Sequence, residues 1–345
     1  MRIERYNMKS SSLKKNLSPL VLLVILLVLS LSGCEQQNKV DHTIQDREPT
    51  ILYVSHGNSS YYQTIQDALN NSIDGDRIQI TNGTYHEALT IRTSIHLSGE
   101  NKNTTFIQPI ITEKNTQLTI MRIDADDCFL ENISITVQNH STAIRAISVN
   151  ASNITIYNNI IYGVNEGIFL SAFSTHNKIF SNKILHNRYG IQAQGSKNNH
   201  IAHNNFSFNT LYSIYCVDNG NQNTITHNIF FNNNYGLRIK TSKYNEIYNN
   251  CIRKNNQGIY CCCGAYYNEV YSNVFQENRD VDAKEDSSLV NFWFNHTTHI
   301  GNYWDKYTGA DEDNDGFGDS PFEIPEAHNV DAYPLMIPPA NTECN

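Results

Sequence analysis

From about residue 150 the chain repeats one frame: an apolar residue, two others, Asn, one other, then an apolar residue. It reads Ile156-x-x-Asn159-x-Ile161, Ile179-x-x-Asn182-x-Ile184 and Ile201-x-x-Asn204-x-Phe206. It continues through Ile225, Asn228 and Phe230, then Ile247, Asn250 and Ile252, then Val270, Asn273 and Phe275. The Asn positions step by 23, 22, 24, 22 and 23 residues, a mean of 22.8. A second column, Gly167, Gly190, Ser213, Gly236 and Gly258, has an aliphatic residue after each member. A third column is Asn187, Asn209, Asn233, Asn255 and Asn278. Short alternating apolar pieces broken by Asn or Gly, with no helical half, predict three short strands per rung of a parallel β-helix. Leucine-rich repeats have a similar period but need a denser leucine frame.

Rungs of such a coil repeat about every 4.8 Å, so equivalent positions become ladders. Ile161, Ile184, Phe206, Phe230, Ile252 and Phe275 form one inward ladder, and Leu170, Ala193, Cys216, Ile239 and Cys261 another. The first Asn column has the parity of the inward residue two positions on. It is therefore read as structural, each amide bonding its neighbours above and below. Weaker rungs are expected around residues 118–123, 130–135 and 144–149. Over residues 62–69, Ile65, Ala68 and Leu69 share one helical face, which predicts a helical cap over the open end of the coil.

Composition sharpens this picture. The chain has 345 residues, 39% hydrophobic and 17% charged, with 47 Asn. Asn competes for nearby backbone groups and is poor inside helices, which argues against an all-helical fold and suits a chain with frequent turns. A formal charge of −9 argues against a nucleic-acid partner.

The N-terminus reads as an address. Arg2, Arg5, Lys9, Lys14 and Lys15 precede an apolar run over residues 20–31, a length suited to a signal-peptide core rather than a bilayer span. It ends in Leu31-Ser32-Gly33-Cys34, which resembles the lipobox of prokaryotic lipoproteins, with Cys34 as the lipidated residue. The expected division is a signal peptide at 1–33, a polar tether at 34–49, the β-helix at 50–300 and an Asp-rich cap at 301–345. Loss of residues 1–33 removes five Lys/Arg and one Glu; 20 basic and 33 acidic residues remain, a formal charge of −13. The protein is expected on the outer face of the cytoplasmic membrane.

The segments Gly75-Asp76-Arg77-Ile78 and Gly83-Thr84-Tyr85-His86-Glu87, with the rungs that follow, resemble the pectin-lyase-like right-handed β-helix superfamily. Gly301-Asn302-Tyr303-Trp304, the Asp-rich loop and Asp331-Ala332-Tyr333-Pro334-Leu335-Met336 narrow the resemblance to NosD-type β-helix proteins. It covers about residues 50–337. It implies an all-β, single-stranded right-handed parallel β-helix and one of three roles: carbohydrate binding, polysaccharide cleavage or epimerisation, or a copper-binding accessory function.

Three places carry candidate chemistry. In residues 311–319, Asp311, Asp313, Asp315 and Asp319, with the carbonyl of Phe317, match the first part of a calcium loop, but Phe322 stands where such a loop has its last Glu. A Ca²⁺ ion there is expected to lock the C-terminal cap. Second, the segment from Gly236 to Thr241 resembles the one polygalacturonases use to hold a uronate carboxylate. Parity places Arg238 and Lys240 outward, with Tyr215 and Val217 on one neighbouring rung and Tyr260 and Cys262 on the other. Those positions hold no carboxylate pair for acid–base work. The expected role is sugar binding by Tyr215, Arg238, Lys240 and Tyr260, with cation–π support; a purely stabilising cross-rung stack is the alternative. Third, copper calls for soft or imidazole donors. His203 and His227 share a column, and Cys261, Cys262 and Cys263 are consecutive, but no C-x-x-C spacing occurs. Cys216 and Cys261 lie two rungs apart, about 9.6 Å by the rung spacing, and are not expected to pair. Sequons such as Asn58, Asn82, Asn103, Asn132, Asn205 and Asn295 mark possible glycosylation sites. The leading expectation is a lipid-anchored surface protein whose rigid face binds a polysaccharide or envelope glycan.

Overall fold

The computed structural model describes residues 47–111, 118–138, 143–287, 290–326, 329–340, 342 and 344. The signal segment and Cys34 lie outside the described residues. Among the described residues no helix is long and apolar enough to cross a membrane.

The chain winds into a right-handed parallel coil of three sheets, with ten, ten and nine strands. A central rung contributes a three-residue strand to the first sheet, such as Glu246–Tyr248, and another to the second, such as Cys251–Arg253. A six-residue strand, such as Gln257–Cys262, then joins the third. The expected weak rungs are present, as Thr119–Ile123, Phe129–Glu131, Ser134–Ile135 and Arg145–Val149. Both inward ladders are buried as expected. The first extends one rung further to Trp304, whose ring stacks on Phe275 at 4.2 Å. Strand Tyr303–Trp304 thus continues the coil into the segment expected to be cap.

The corners explain the asparagines. Asn250 donates from its backbone N–H and its amide to Oδ1 of Asn273, and its own Oδ1 accepts the same two bonds from Asn228. Its amide also reaches the carbonyls of Ile225 and Tyr248. The residue before each such Asn has left-handed backbone, with φ of 52° at His227, 53° at Asn249 and 52° at Ser272. That conformation costs an L-residue roughly 1–2 kcal/mol, and the Asn bonds made immediately afterwards offset it. The Asn187 column does the same at the second corner. A ladder not expected from the sequence, Asn177, Asn199, Asn223, Asn245, Asn268 and Asn291, fills the third.

The glycine column serves close packing. A Cβ on Gly258 would lie 2.0 Å from the carbonyl oxygen of Asp282 on the next rung.

At the N-terminal end, the short helix Ile65–Asn70 is capped by Thr64 and buries Ile65, Ala68 and Leu69, as its pattern predicts. At the other end, a hairpin of Phe322–Ile324 and Asn329–Asp331 packs against the last strand of the third sheet. A disulfide joins Cys251 to Cys344; the sequence left the cysteine pairing open. Cys216 and Cys261 are free and buried, in line with the rung argument.

Candidate functional site

The third sheet presents the most distinctive outward face. Its strands stay in register, so Phe169, Gln192, Tyr215, Arg238, Tyr260 and Lys284 form one outward ladder, half-buried throughout. Three expected residues, Tyr215, Arg238 and Tyr260, are therefore brought together. The Arg238 guanidinium lies 5.9 Å from the Tyr215 ring centre and 5.1 Å from that of Tyr260. Lys240 is on the same strand, in register with Cys262, and is not part of this cage.

The cage has members that parity alone does not reveal. Tyr189, Tyr212 and Tyr235 form an in-register column whose successive rings are tilted by 52° and 57°, and Arg238 lies 5.3 Å from the Tyr212 ring and donates to its hydroxyl. These tyrosines each precede the Gly/Ser column, a repeat visible in the sequence once that column is known. Arg238 also donates from Nε and Nη2 to Cys262 Sγ, both at 3.4 Å. Cys262, outward by parity, is consequently buried. Burial works against the Arg238 charge, but Cys262 and Tyr212 more than restore it. Burial, helped by contact with Cys263 and opposed by Arg238, pushes the Cys262 thiol up to about 11.

The polar ends are largely used within the protein. The Tyr260 hydroxyl donates to Asp286, and burial followed by that contact raises its pKa. Tyr215 stacks on Tyr189 at 6.2 Å and tilts against Tyr212 at 4.9 Å. Further along the face, Arg145 pairs with Glu166 at 2.5 Å and covers Phe169 at 3.7 Å, beside a cleft of about 410 Å³.

In the acidic loop, carboxylate oxygens of Asp311, Asp313 and Asp315 lie within 4.8 Å of one another. Gly316 turns with φ of 93°, and its N–H and that of Asp315 donate to Asp311 at 3.1 Å. The other two expected members are arranged differently. The carboxylate of Asp319 accepts from the backbone N–H of Glu312 at 2.8 Å, and Phe317 donates its N–H to Asp315 at 2.9 Å.

Residues 93–250 match the family model described as "Right handed beta helix region", and residues 204–309 match "Periplasmic copper-binding protein (NosD)". Among solved structures, pectate lyase Pel9A shares 14% identity over 79% of this chain and 83% of its own, with a TM-score of 0.53. This is a right-handed parallel β-helix protein. XylC in complex with xylose is more distant, with 10% identity, 66% and 70% coverage and a TM-score of 0.44. Comparison with curated proteins finds no match.

The match to the NosD model falls on the second half of the β-helix, and the copper in that model's description can be tested against the donors present there. His203 and His227 stack at 4.9 Å, but Nδ1 of His227 meets Thr226 Oγ1 at 2.9 Å and its Nε2 faces the Asn249 amide at 3.5 Å. That pair is arranged as a stacked ladder rather than a chelate. Soft donors converge elsewhere in the β-helix, where Cys262 and Cys263 meet Asp286. Two thiols fit a thiophilic ion. Asp286 follows a rung whose glycine place is taken by Asp282, so the sequence frame did not announce it.

Proposed function

We propose that this β-helix is an exported, lipid-anchored protein that binds a polysaccharide along the outward face of its third sheet. The observation that carries the reading is the in-register ladder from Phe169 to Tyr260, flanked by the tyrosine column of Tyr189, Tyr212 and Tyr235. Rungs about 4.8 Å apart repeat at a step comparable with one sugar residue of an extended chain. Because the rings pack against each other and the Tyr212 and Tyr260 hydroxyls are used within the protein, the sugar contacts are the accessible ring surface, with Gln192 and Lys240 as donors. Similarity in fold to a pectate lyase supports a polysaccharide ligand. On this face Asp124 pairs with Arg122 at 2.8 Å and Glu166 with Arg145, so these carboxylates are committed as ion-pair partners. That favours binding over cleavage or epimerisation. The Cys251–Cys344 disulfide supports an oxidising compartment, and anchoring rests on Cys34 and its apolar run.

The test is binding of fluorescent envelope polysaccharides to membrane and soluble fractions. Binding is expected with membranes and should move to the soluble fraction with Cys34→Ser. Tyr215→Ala should weaken it roughly tenfold, about 1.4 kcal/mol, with little change in melting. Absence of binding in every fraction would sink the proposal.

A second reading concerns the cap. The convergence of Asp311, Asp313 and Asp315 favours Ca²⁺ there, since three like charges repel without a cation. Calcium should raise the melting midpoint of chelator-treated protein, and Asp313→Ala should abolish the rise. An unchanged midpoint in the wild type would count against it.

A further inference from the structure

At the margin of the third sheet, strand Gln257–Cys262 runs into Cys263, whose φ of 55° turns the chain left-handed. Cys262 is buried and Cys263 exposed. Asp286 arrives from the next rung, its backbone N–H bonded to the Cys261 carbonyl at 3.1 Å. Both sulfurs and a carboxylate oxygen of Asp286 lie within 4.8 Å of one another. The surrounding groups hold these three in place. The Tyr260 hydroxyl donates to Oδ2 of Asp286, and the N–H of Cys263 to its Oδ1 at 3.3 Å. Arg238 forks onto Cys262 Sγ with two N–H groups.

We propose that Cys262, Cys263 and Asp286 are the protein ligands of a thiophilic divalent cation, Zn²⁺ by donor chemistry, with its remaining position open to solvent. Thiolate and carboxylate are both ordinary zinc ligands, and three protein ligands leave one tetrahedral position free. The carboxylate selects Zn²⁺ over Cu⁺, which prefers an all-soft donor set. Charge agrees. Two thiolates and a carboxylate around Zn²⁺ leave one net negative charge, and the Arg238 guanidinium on Cys262 cancels it. Tyr260 and Cys263 N–H orient the carboxylate as outer partners of metal ligands commonly do. Arg238 and Tyr260, whose polar atoms are turned inward on the proposed sugar-binding face, thereby acquire a reason for those contacts.

Protein purified anaerobically should take up one equivalent of Zn²⁺ in competition with a chromophoric chelator. Cys263→Ser and Asp286→Asn should each weaken this at least tenfold. Both side chains are exposed, so the fold should survive, and unchanged melting checks that it has. As an independent readout, Zn²⁺ should protect Cys263 from iodoacetamide, scored by peptide mass. The proposal is overturned by absence of Zn²⁺ uptake or by uptake unaffected in both variants. It is equally overturned if Cu⁺ alone is captured, or if native protein carries a Cys262–Cys263 disulfide.

Discussion

A single asparagine does several jobs at once in this coil. Asn250 accepts from the backbone and side chain of Asn228, donates twice to Asn273, and satisfies two carbonyls, all fully buried. No apolar residue of similar size can replace that set, and Asp would lose the donors. Asn250→Ala should strand the N–H of Asn228 and the carbonyl of Ile225 away from water. At about 1–3 kcal/mol per stranded group, a loss of roughly 3–5 kcal/mol is expected in a denaturant melt. A loss under 1 kcal/mol would mean water replaces the amide and the ladder is less dry than its burial indicates. The same reasoning separates these residues from the sequons. Asn205 sits one position after the ladder residue Asn204 and is half-buried on the outer side, where a glycan costs no internal bond.

At the level of strands and corners, the sequence was legible wherever a position had one physical solution. The frame around Asn159 to Asn273 revealed the rung length, the inward ladders and the parity of the outward face, because a strand alternates strictly. Parity correctly aligned Tyr215, Arg238 and Tyr260. It did not reveal that Tyr212 reaches Arg238 from the neighbouring column, or that Cys262 is sealed beneath the guanidinium. Those contacts depend on side-chain length and direction, which periodicity does not encode. The third Asn ladder was readable, two residues before each leading Ile, yet it escaped a frame that started at that Ile. Left-handed corner residues have no signature in their own side chains. His203, Phe208, Tyr244 and Lys254 share the conformation without sharing chemistry, because the buried Asn after each one supplies the compensation. Cys344 lies outside the repeat, and Asp286 belongs to a rung in which Asp282 takes the glycine place, so the frame read from the sequence placed neither beside its partner.

A solenoid stands or falls by its ends, since each rung contacts only its neighbours and opening starts where a neighbour is missing. The C-terminal end is closed with buried acids. Glu285 takes the inward place after Cys261 and accepts from Asn291, Trp293 and Asn329. Asp331 reaches back from the hairpin to accept from Asn302, Trp304 and Tyr333, tying cap to last rung. Burial lifts the Asp331 carboxyl to about 6 from its ordinary 3.8, against the pull of those donors, and burial also raises Asp282. The consequence for pH follows from linkage. Between about 4 and 6 the folded state holds a proton that the unfolded chain has released, so stability from this group is present at low pH. It is lost as pH rises through 6, by about 3 kcal/mol for a shift of this size. Mild acidification from pH 7 to 5 should therefore slow opening of the last rungs, read as amide exchange at Asn302 and Trp304. Asp331→Asn should flatten that dependence while leaving exchange in the central rungs alone. Exchange at those two amides that quickens on acidification beyond its intrinsic trend, or an Asp331 carboxyl titrating near 4 by NMR, would show that the donors outweigh burial. The cap would then be held by a charged clasp rather than a neutral one.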